Sequence, residues 1–180
     1  MVLPAFAHPG DGYMTENAFI RDLLIRLLDG RQAHASWEDA LEGFPAELRG
    51  KKPAGAPHTP WQLLEHMRIA QWDILEFSRS AAHVSPLFPE GYWPDEAEPP
   101  GDRAWEKSVE SFRSDLEAMK ALVSQESSDL LAKIPHGSGQ TLLREAMLMA
   151  DHNAYHLGQI VLLRKMLSAW EGRVEIDGLG

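Results

Sequence analysis

TLLREAMLMADHNAYHLGQIVLLRKMLSAW, residues Thr141–Trp170, is apolar on most sides when wound at about 3.6 residues per turn. Arg144, Asp151, Gly158 and Lys165 recur every seven residues and mark a narrow outer face. Its inner side carries Glu145, Leu148, His152, His156, Gln159 and Leu163. A helix this long and this apolar belongs inside a helical assembly. A polar stripe on its buried side then needs a partner, because unpaired buried polar groups are costly. His152 and His156 stand four residues apart, so both imidazoles project from one face and can reach a single cation. A metal ion would satisfy the stripe.

Working outward, the same periodicity predicts three more long helices. Thr15 caps the first, whose Ile20, Leu23, Leu24, Leu27 and Leu28 form a core-facing stripe before Gly30 ends it. Ser36 with Asp39 starts a shorter helix carrying Trp37, Ala40 and Leu41, interrupted by Gly43 and Pro45. Arg49 to His58, with Pro53, Gly55 and Pro57, is a connector. Thr59, Pro60 and Gln62 make a capping box with proline at the first helical position. That helix runs to Ser80, with Glu65, Arg68, Glu76 and Arg79 toward solvent and His66, Asp73 and Phe77 inward. From Asp102 to Gln125, Trp105, Val109, Phe112, Leu116, Met119 and Val123 keep the 4-3-4-3-4 spacing of a bundle seam. The expectation is all-α: a four-helix bundle over residues 15–170, between an irregular lead-in (1–14) and a tail (171–180) with a short extended stretch at Val174–Ile176.

The chain's 180 residues suit one domain. A net charge of −10 without a basic cluster argues against nucleic acid as a partner. No run of residues approaches a membrane span and no secretory signal stands at the start, so a cytoplasmic protein is expected. There is no cysteine, hence no disulfide and no thiol nucleophile, and any metal must be held by histidine and carboxylate.

His66 supplies a third imidazole from another apolar helix, and three histidines on two helices read as a mononuclear site with open coordination positions. His8, His34, His58, His83 and His136 fall in or beside loops and are expected in solvent, with His34 the one placed to face the same bundle end. Two other metal signatures fail. The His-Glu-x-x-His pattern needs Glu where Asn153 stands, and no histidine has Glu three residues before it, as a di-iron bundle requires.

The stretches His58-Thr59-Pro60-Trp61-Gln62-Leu63-Leu64-Glu65-His66, Gln71-Trp72-Asp73 and Asp151-His152-x-x-Tyr155-His156-x-Gly158-Gln159 resemble the DinB/YfiT-like family of metal-dependent enzymes, over about residues 15–170. The resemblance implies an up-and-down-like bundle, usually dimeric, with one divalent cation on His66, His152 and His156. It further implies a small-molecule transferase or hydrolase, with a low-molecular-weight thiol as co-substrate in some relatives. Imidazole suits zinc, nickel or iron. Glu145, Tyr155, Gln159, Asp73 and His34 are candidates for supporting or substrate-facing roles. The competing reading is a non-enzymatic module in which the metal only pins two helices.

The aromatic, proline-rich loop Ala81–Gly101 would wall a reactive cation economically, through Phe88, Tyr92 or Trp93. Distance argues otherwise: His66 lies near the start of its helix, and the loop leaves the far end roughly 20 Å away. The pocket is therefore assigned first to the His34–Thr59 side. The nearly all-round apolarity of the last helix, with six tryptophans in the chain, predicts a homodimer.

Overall fold

The computed structural model describes residues 15–170. Five helices occupy them: α1 (Glu16–Asp29), α2 (Trp37–Leu41), α3 (Pro60–Arg79), α4 (Ala104–Ser124) and α5 (Leu142–Met166). Among the described residues there is no strand, only an isolated bridge between Lys133 and Thr141. The expected lead-in, tail and Val174–Ile176 stretch lie outside the described residues.

The starts and stops follow local chemistry. Thr15 accepts from the Ala18 amide at the head of α1, and Gly30 closes that helix with φ +71°, a conformation that costs glycine little. Ser36 with Asp39, and Thr59 with Gln62, form reciprocal capping boxes. α3 and α1 each pack against α4 and α5, and α2 lies on α5. One core joins them, with Leu41, Leu64, Met67, Phe112, Met119 and Ile160 fully or almost fully buried. No helix among the described residues is long and apolar enough to cross a membrane.

Three expectations need correction. On α1 the buried stripe is Arg21, Leu24 and Leu28, whereas Leu23 and Leu27 are each 47 % exposed and align with exposed Phe19. Arg21 turns inward because its guanidinium donates to the carbonyls of Val123 and Ser128, where α4 ends. A cation that satisfies a helix C-terminus displaces leucine from the core face. On α3, Glu65 is buried instead of solvated, since Arg68 one turn on grips both carboxylate oxygens at 2.9 Å. Finally, α5 stops at Met166, short of Trp170. Arg164 is buried, donating to Asp39, Ala40 and Glu42 carbonyls at the end of α2 and to Ala169, which folds the chain back.

Candidate metal centre

α3 and α5 face one another, and each brings histidine to the contact. The Nε2 atom of His66 lies 3.1 Å from that of His152 and 3.2 Å from that of His156. His66 and His156 are each 8 % exposed. Among the described residues these three are the group whose ligand atoms all lie within 4.8 Å of one another.

Hydrogen bonds behind the rings set which nitrogens carry protons. The Nδ1–H of His66 donates to the Tyr92 carbonyl at 2.9 Å, since a carbonyl oxygen can only accept. The Nδ1–H of His156 donates to Gln159 Oε1 at 3.0 Å. Both Nε2 atoms therefore present lone pairs to each other, an arrangement that repels until a cation stands between them. His152 has no partner at Nδ1, although that atom is buried. Burial, then the neighbouring imidazoles, pushes His152 down to about 4 from 6.5. Burial likewise lowers His66 and His156, against the opposing pull of the Tyr92 carbonyl and of Gln159. At neutral pH the three rings are neutral, the form in which imidazole binds metal.

The spacing fits a cation. With metal–nitrogen bonds of about 2.0–2.1 Å, cis ligands lie about 2.8–3.0 Å apart in an octahedron and about 3.3–3.4 Å in a tetrahedron. The measured 3.1 and 3.2 Å fall between these limits.

The loop after α3 reaches this site, contrary to the distance argument. Trp93 stacks on His66, with ring centroids 3.9 Å apart and planes 3° from parallel. Asp73, in the C-terminal half of α3, explains the return: its carboxylate accepts from Tyr92 Oη at 2.6 Å and meets His83 Nε2 at 2.7 Å. Thr59 at the start of α3 then donates to the Ala97 carbonyl, so the loop runs back along the whole helix. Burial, with Asp73 adding to it, pushes the Tyr92 phenol up to about 12, which keeps it a donor. Phe88 takes no part in the wall and is 83 % exposed.

His58 and His83, expected in solvent, are both engaged by other side chains. His83 is held by Asp73, its side chain 7 % exposed. His58 stacks on the outer face of Trp93 at 4.0 Å, completing a His58–Trp93–His66 stack. Burial and nearby Lys52 keep His58 below the usual histidine range. Asp73 does bond a ring, that of His83, and acts on His66 only through Tyr92. Gln159 backs His156 directly. Tyr155 touches His156 edge-on at 4.9 Å but is 66 % exposed. Glu145 is buried and paired with Arg144, and it is not in the cluster. His34 is exposed, with Nδ1 on the neighbouring Ala35 carbonyl, and is not brought to the cluster either. Asn153, standing where a general base would be needed, turns inward and donates to Gln71 Oε1, while Gln71 donates to the Phe112 carbonyl. That buried amide chain ties α5 to α3 and α4.

The sequence profile of the DinB superfamily matches residues 30–160. The chain belongs to this superfamily. The matched span covers well over half of the 180 residues and contains all three histidines. No curated protein and no solved structure matches the chain.

Proposed function

We propose that this DinB-superfamily chain binds one divalent transition-metal ion through His66, His152 and His156, and uses it in transfer or hydrolysis on a small molecule. What carries the reading is the pair of Nε2 lone pairs held 3.2 Å apart by hydrogen bonds behind each ring. Zinc, nickel and iron(II) all suit imidazole. When bound, such a cation supplies Lewis acidity, making a water or a small thiol nucleophilic near neutral pH. The protein's own residues hold His66 and His156 each in one tautomer and cover one face of His66 with Trp93, and the three rings stay neutral so that the cation keeps its charge.

Against a purely structural metal stands the ligand count. Structural zinc sites close with four protein ligands, whereas the cluster among the described residues has three. A low-molecular-weight thiol is the co-substrate that suits a cysteine-free chain. The reading includes a homodimer, supported by apolar side chains exposed on two helices: Phe19, Leu23 and Leu27 on α1, Met147 on α5. Thiol consumption against a panel of electrophilic small molecules tests the catalytic part. Turnover should require added zinc, nickel or iron(II) and vanish in His156→Ala. Equal turnover in that variant would refute it.

A further inference from the structure

Beside the histidine cluster, the connector between α2 and α3 and the C-terminal half of α5 enclose a cavity of about 340 Å³. Its walls include Ala54, Pro57, Leu63, Leu162 and Met166, and among the described residues no charged side chain lines it. Among the described residues, two polar side chains line it. One is Gln159, whose oxygen is engaged by His156 Nδ1, leaving its amide N–H groups to offer a ligand. The other is His58, fixed by its stack on Trp93. Both wall groups therefore connect to a histidine of the cluster: Gln159 directly to His156, and His58 to His66 through Trp93.

We propose that this cavity binds the uncharged, apolar part of the substrate, with Gln159 and His58 as its polar contacts. The assignment rests on the small-molecule reading above and adds the substrate's chemical class. Its size lies at the lower end of small-ligand pockets, and its make-up, apolar walls with a few convergent polar groups, is what such pockets share. An anionic group would enter a cavity that no cation lines among the described residues, on a chain of net charge −10. A neutral ring or short chain bearing one hydrogen-bonding group matches the walls. Ligands seated here press on Gln159, so occupancy is felt at the metal through His156.

The experiment titrates 1-aminoanthracene, a neutral fluorescent probe, into the full chain loaded with cobalt(II), following both fluorescence and the visible cobalt spectrum. Saturable binding of one probe per chain, with a changed cobalt spectrum, is expected. Ala54→Trp and Leu162→Arg alter the walls given by the connector and by α5, at solvent-accessible positions. Each should weaken the probe at least tenfold while cobalt content stays at the wild-type level. The sulfonate 8-anilinonaphthalene-1-sulfonate should bind more weakly than the neutral probe. Undiminished probe binding in either variant, or tighter binding of the sulfonate, overturns the assignment. Failure of the metal reading is separate: the protein would then retain no cobalt, while the probe still bound and still responded to both variants.

Discussion

The properties of single residues at this site follow from what lies behind each ring. Gln159 fixes the proton of His156 at Nδ1 and aims Nε2 at the cluster. Removing such a partner usually costs about 10–100-fold in metal affinity. Gln159→Leu should weaken zinc binding by that factor in competition with a chelating dye, and Gln159→Glu, which keeps an acceptor, should not. Unchanged affinity in Gln159→Leu would show that the bond does not orient the ring. A second consequence concerns acid. His152 titrates near 4 in the folded chain against 6.5 as the ordinary value, so between these limits the unfolded chain binds more protons. The contribution of this ring to the stability of the metal-free protein is therefore fully present above about 6.5 and is lost as pH falls toward 4. Urea midpoints measured across that window should fall more steeply for wild type than for His152→Ala. Parallel profiles would contradict the burial that lowers this ring.

At the scale of elements, the hold of Asp73 on the returning loop matters most. It bonds Tyr92 and His83 together, and Tyr92 in turn presents its carbonyl to His66. Asp73→Ala should leave the helices folded but release the loop, seen as faster hydrogen exchange and proteolysis between Ala81 and Gly101. Protection equal to wild type would mean that the Trp93 stack and the Tyr92 and Ala97 carbonyl contacts hold the loop without Asp73. The contrast with the helix ends is physical. Thr15, Gly30, Ser36 and the Thr59–Pro60–Gln62 box were legible because a cap is chemistry between residues one turn apart. The path of the loop was not, because it depends on side chains 10 to 38 positions apart meeting on α3. The same holds for α1, where periodicity put Leu23 and Leu27 in the core. A long-range contact of Arg21 with the end of α4 turned them outward. His66, His152 and His156 were legible as a set, since helical spacing and inward placement are local properties. His58 was not, because only the returning Trp93 gives it a role.

For the molecule as a whole, four long helices share one core, while an apolar stripe on α1 remains exposed at Phe19, Leu23 and Leu27. Such a stripe, continuous along a helix, fits a self-association face. Light scattering at micromolar concentration should give a dimer, and Leu23→Glu a folded monomer. A monomeric wild type would remove the dimer from the account. The histidine cluster remains the central claim, and metal content tests it most directly. Wild-type protein and His66→Ala, each incubated with excess zinc, desalted and assayed by mass spectrometry for metal, should differ sharply. The account predicts one zinc per chain in wild type and none retained in the variant, with both still helical by circular dichroism. Zinc absent from the wild type, or kept equally by His66→Ala, would contradict it.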